Sequence, residues 1–105
     1  MVQFDVYVNP GKQTRSAYPF ILDLQNTLID HIATRIVVPL AHAGKFKNEA
    51  MKELMPRIEF NGDELLIMIP QIASIPTKVL KQPIGTLEDL RDEIIAALDF
   101  AITGI

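Results

Sequence analysis

The 105-residue sequence contains no cysteine, no tryptophan and only two histidines. Without thiols, disulfides, thiolate metal sites and cysteine nucleophiles are excluded, and the chain suits a reducing compartment. No apolar run approaches the ~20 residues that a membrane span needs. An excess of positive charge is missing too: 10 Lys and Arg stand against 13 Asp and Glu, a net charge of −3. Nucleic-acid binders draw much of their affinity from cations on phosphates, so direct DNA or RNA binding is disfavoured. The densest basic cluster is only Lys45, Lys47 and Lys52. The opening Met1 to Val8 alternates and carries Asp5, unlike a signal peptide. The expectation is a cytoplasmic protein with no membrane partner.

What is present is an ordinary globular composition, 49% hydrophobic and 22% charged, at a length that buries about two-thirds of the unfolded surface. No repeat, linker or low-complexity tract divides the chain, which predicts one domain over residues 1–105. Val2, Phe4, Val6 and Val8 alternate with polar residues, the period of a half-buried strand. Asn9-Pro10-Gly11 ends it, and a polar, basic loop leads to a second strand over Tyr18 to Gln25. Arg35 to Leu40 is a continuous β-branched run, as in a strand covered on both faces, with Pro39 disturbing it. Phe46 to Met55 has helical spacing and Pro56 as a stop.

Asn61-Gly62 between Arg57–Phe60 and Asp63–Ile69 predicts a tight hairpin, because that dipeptide accepts two positive φ values. Thr77 to Leu80 reads as a last short strand between two prolines, and Gly44 and Gly85 as turn residues. Thr86 and Asp89 resemble a capping box at the start of a final helix. Its apolar stripe is Leu87, Leu90, Ile94, Leu98, Ala101, Ile102 and Ile105. The sum is a mostly antiparallel β domain closed by a C-terminal helix.

Residues with the chemistry of catalysis are few and scattered. His31 and His42 lie eleven apart with no ligand pattern around them, so surface or loop roles are expected and no metal site or cofactor is implied. The carboxylates Glu88, Asp92 and Asp99 fall on the polar arc of the last helix, and Ser16 and Ser74 sit in no nucleophile-elbow context. The chain end is less ordinary: Phe100 to Ile105 carries no charge. Phe100 falls ~220° from Leu87 on the helical wheel, away from the core stripe. A lone exposed Phe is common. An uncharged chain end beside an outward Phe is also how an interface is built. Phe100 and Ile102 are accordingly the candidate dimer contacts.

Several blocks together resemble one family. Gln3-Phe4-Asp5-Val6-Tyr7, Asp23-Leu24-Gln25, Leu28-Ile29-Asp30, Arg35-Ile36-Val37-Val38-Pro39-Leu40-Ala41, Ala73-Ser74-Ile75-Pro76 and the closing Gly104-Ile105 are similar, in order and spacing, to the CcdB family. That resemblance implies an SH3-like antiparallel barrel or sheet of the CcdB/Kid type, a small second sheet, a C-terminal helix and a homodimer. It implies a non-enzymatic type II toxin, of the kind used in plasmid maintenance, that binds the A subunit of DNA gyrase and traps the cleaved-DNA complex. It also implies neutralisation by a CcdA-like antitoxin, with which the toxin represses its own operon, touching DNA only through that antitoxin. The matching gyrase-binding positions are Ile29, Gly104 and Ile105. Thr103 stands where the family's familiar toxins carry a Trp that stacks on a gyrase arginine, and Ala96 and Asp99 replace Asn. The alternatives are a Kid/MazF-type endoribonuclease, drawing on His31, His42, Arg35 and Arg57, and a non-toxic antitoxin-binding relative.

Overall fold

The computed structural model describes residues 2–26, 32–45 and 54–104. Its strands are β1 (Asp5–Val8), β2 (Phe20–Asp23), β3 (Thr34–His42), β4 (Arg57–Phe60), β5 (Asp63–Ile67), β6 (Ala73–Pro76) and β7 (Gly85–Thr86). One helix, α1 (Arg91–Thr103), follows them. The strands pair antiparallel in the order β4-β5-β3-β2-β1-β7, with β6 on the first half of β3. The expected smaller sheet is therefore not separate: it joins the main one through β3.

β3 is the hub, and its sequence explains why. β2 pairs along one side, while the other side takes β6 at Thr34–Val37 and β5 at Leu40–His42. The Ile36 carbonyl faces β2, where it accepts the Leu24 N–H, so by alternation Pro39 faces the other side. There it sits between the stretches that pair with β6 and β5, its carbonyl accepting the Met68 N–H at 3.0 Å while its missing N–H leaves that exchange one-sided, where the β5 ladder ends.

The first strand begins later than the alternation predicts. Phe4 takes a left-handed backbone, φ 72°, which costs a non-glycine residue about 1–2 kcal/mol. Its N–H donates to the Asp23 carbonyl at 2.7 Å and its own carbonyl accepts from the Leu87 N–H at 2.9 Å. These bonds hold the kink and bury the ring, leaving Val2 and Val8 exposed and Tyr7 buried in place of an even alternation.

The hairpin at Asn61-Gly62 forms as predicted, with φ 54° and 82° and Phe60 opposite Asp63. Two other expectations are overturned. Thr77–Leu80 is not a strand: Thr77–Val79 forms a 3₁₀ turn. The strand is the preceding β6, whose register with β3 ends at Thr34 and Pro76, the Thr77 N–H still donating to the Ala33 carbonyl at 2.8 Å as the chain turns into the 3₁₀ turn. Thr86 does not cap the α-helix, since it pairs with Asp5 in β7. Its Oγ1 accepts from the Glu88 N–H at 3.1 Å and supports an intervening 3₁₀ turn, and α1 starts at Arg91. The predicted helix over 46–55 lies mostly outside the described residues.

The main core unites Val6, Leu22, Val38, Leu40, Leu65 and Ile67 from the sheet with Ile94 and Ala97 from α1. The sheet curls until its edges meet: Phe60 of β4 stacks edge-on against Phe20 at 5.4 Å and covers Gly85 of β7. A Cβ at Gly85 would lie 2.6 Å from the Phe60 ring. Gly85→Ala should cost about 1–3 kcal/mol by forcing that ring out of its packing. Denaturant unfolding measures it, and a loss below ~0.5 kcal/mol would show that the edges close more loosely.

Candidate target-binding surface

The helix outruns its core. Leu87, Ile94 and Ala97 are buried and Leu90 and Leu98 half-buried, but Ala101 is exposed and Ile102 is 71% exposed. Phe100 is half-buried, less outward than its wheel position predicts. Gly104 closes the helix in the left-handed conformation, φ 76°, its N–H donating to the Phe100 carbonyl at 2.9 Å. No heavy atom lies within 4 Å of where a Gly104 Cβ would sit. The Thr103 hydroxyl donates to the Asp99 carbonyl at 2.7 Å, folded back on its own helix. A short aliphatic and glycine surface is thus exposed here, with no charged side chain over residues 100–104. Ile29 and Ile105, the other candidate contacts, lie outside the described residues, as does His31.

Among the described residues, the candidates a nuclease would draw on, Arg35, His42 and Arg57, are not brought together. Arg35 is completely buried, its Nη2 2.7 Å and its Nε 3.0 Å from Asp23 Oδ2. Burial pushes the Asp23 carboxyl above its ordinary value, against the hydrogen bond from Arg35, the Gln25 amide and the Arg35 charge. His42 lies in register with Leu65 and Ile58, while Arg57 shares a row with Leu66 and Ala41. Adjacent rows of an antiparallel sheet project to opposite faces, so His42 and Arg57 diverge. Arg57 is paired with Glu64 at 2.8 Å on the surface. Among the described residues no cluster of three His, Asp or Glu could hold a metal, and no helix is long and apolar enough to cross a membrane.

Reading residues singly misses the Asp23–Arg35 pair. The signal for it was a lone acid and a lone base, each embedded in an apolar strand. A second feature it misses is a groove with exposed Val8, Val79 and Ile84 between Arg15 and Lys81. Its residues come from β1, the following loop and the 79–84 connection, too far apart in sequence to be read as one surface.

The family model described as CcdB protein matches residues 3–104. It runs through every described strand, the helix and the projecting Gly104. Among the described residues, the curled antiparallel sheet closed by α1 is consistent with that family's fold. The chain belongs to the CcdB family, whose members are the toxins of toxin–antitoxin pairs and act on DNA gyrase.

Proposed function

We propose that this chain is a type II toxin that binds the A subunit of gyrase as a homodimer and traps the enzyme on cleaved DNA, without catalysis of its own. The supporting observation is the projecting helix end: Ile102 exposed, Gly104 left-handed and no charge from Phe100 onward. Ile29, Thr103, Gly104 and Ile105 are the gyrase contacts in this reading, and Phe100 and Ile102 the dimer contacts. The groove of Val8, Val79 and Ile84 also has Arg15 and Lys81 in its lining. That suits an extended antitoxin arm with apolar and acidic side chains. The protein works in the cytoplasm and, with its antitoxin, represses its own operon.

Expression in cells with native gyrase should arrest growth, and a resistant gyrase A subunit should relieve the arrest. Arrest that persists in the resistant strain points to another target. Sedimentation at micromolar concentration should give about twice 11.8 kDa, and the monomer mass would remove the dimer from the account. Pure protein should leave total RNA intact. Specific cleavage lost in His31→Ala or His42→Ala would establish the ribonuclease reading instead.

A further inference from the structure

Charge is unevenly spread along this acidic chain. Residues 6–22 and 65–87 contain Lys12, Arg15, Lys78 and Lys81 and none of the 13 Asp and Glu. The fold brings these two stretches together. The end of β1 and the loop after it meet the 79–84 connection around a groove of about 390 Å³. Val8 is 44%, Val79 37% and Ile84 40% exposed there. Arg15 and Lys81 also line the groove, and no acid among the described residues does.

The groove also holds an unfinished piece of sheet. Successive residues of β1 turn their main-chain groups alternately to the two neighbouring strands. The Asn9 N–H donates to the Pro19 carbonyl on the β2 side, so the Val8 N–H and C=O point the other way. Val6 points that way too, and its carbonyl accepts the Ile84 N–H at 2.7 Å. β7, however, pairs only with Asp5 and Val6. Continuing that register would set Pro83 against Val8, and proline has no N–H to give. Among the described residues the Val8 main chain therefore has no partner on this side. The adjoining loop is already fixed. The buried Asn9 side chain donates to the Thr14 hydroxyl at 3.0 Å and the Tyr18 carbonyl at 2.7 Å, and accepts the Gly11 N–H at 2.8 Å. The Asn9 carbonyl accepts from Arg15 Nε at 2.8 Å, which holds that cation at the groove before anything binds.

We propose that this groove reads an acidic segment of a partner protein in extended form. The segment pairs with Val8 as a short added strand, lays apolar side chains on Val79 and Ile84, and sets carboxylates against Arg15 and Lys81. The inference deepens the reading that the groove receives the antitoxin arm, and rests on it.

The test titrates the isotope-labelled full chain with a short capped peptide of alternating Glu and Val, followed by amide chemical shifts and hydrogen exchange. The controls are the same peptide with Lys for Glu, and two N-methylated forms of the Glu peptide, one methylated at every Glu and one at every Val. The Glu peptide should shift the amides of Val8, Val79 and Ile84, leave β4 and β5 unchanged, and slow exchange at Val8. The Lys peptide should bind roughly 3- to 30-fold more weakly. Arg15→Glu combined with Lys81→Glu should reverse that order. Should the double variant not fold, Lys81→Glu alone, at an exposed position, should narrow the difference. Pairing with Val8 uses one edge of the peptide, so one methylated form should bind roughly 2- to 10-fold more weakly than the other. Equal binding of the two methylated forms, with no slowing at Val8, would overturn the strand pairing and leave the groove reading in place. Equal binding of the Glu and Lys peptides would overturn the charge recognition. Shifts confined to another surface, or no binding of the Glu peptide at roughly millimolar concentration, would remove this groove as the seat of an acidic arm.

Discussion

Replacing Arg35 alone by Met should destabilise the protein by about 3–5 kcal/mol near neutral pH, because it strands the Asp23 carboxylate in a site without water. Against the ~5–15 kcal/mol that holds a typical domain together, that loss is large enough to populate unfolded chains. Replacing both partners, Asp23→Leu with Arg35→Met, should recover most of it. The sign of the pH dependence follows from the carboxyl itself. Burial already raises its pKa in the folded protein, and Arg35, by hydrogen bond and charge, opposes that rise. Without Arg35 the folded value climbs further above the unfolded one. Between the two values the folded state binds the extra proton, so stability falls as pH rises through this window and is regained as pH falls. The native protein has the same sign in smaller measure. Denaturant unfolding across a pH series measures this: the Arg35→Met deficit should shrink on acidification. A deficit below ~1 kcal/mol, or one indifferent to pH, would mean that the pair is not the buried charge system described.

Removing Gly104 and Ile105 should abolish gyrase binding while leaving the fold in place. Thr103 and Gly104 are exposed and the last core contact of the helix is Leu98, so the deletion removes almost no buried surface from the described body. Thr103→Trp should act in the opposite direction. Threonine spends its hydroxyl on the Asp99 carbonyl and offers no π face to an arginine. A stacked cation–π contact contributes ~0.5–2 kcal/mol, so restoring one should tighten binding by roughly 2- to 30-fold and raise toxicity. Calorimetry with the gyrase A dimerisation region, beside thermal unfolding of each variant, separates binding from stability. Unchanged affinity in both variants would place the contact elsewhere on the molecule.

The parts of this fold that were legible in sequence are those whose signal is local. Asn61-Gly62 dictates its turn through φ alone, and the run Arg35 to Leu40 announces a strand, although Ile36 within it is exposed and burial on both faces holds only from Val37 onward. The parts that were not legible depend on a partner distant in sequence. Ala73-Ser74-Ile75-Pro76 is only four residues long, has a single β-branched residue and ends in proline, so nothing in it demands a strand; β3 supplies the pairing. Val2 to Val8 looks evenly alternating until the left-handed Phe4 resets the phase, and that conformation is held by bonds to Asp23 and Leu87. Thr86 has the composition of a helix cap but is claimed by Asp5 across the sheet. The candidate surface divides in the same manner. A chain end without charged side chains is visible in the residues themselves, whereas the buried Asp23–Arg35 pair exists only once β2 and β3 are brought together.

The most direct test of the gyrase-poison account is a DNA cleavage reaction with purified gyrase, supercoiled plasmid and ATP. Cleaved complexes are revealed as linear DNA after denaturation of the enzyme. The full chain should raise linear DNA in proportion to its dose, and the variant lacking Gly104 and Ile105 should not. A full chain that yields no linear DNA with a gyrase shown to bind it, or that yields as much without its last two residues, would contradict the account.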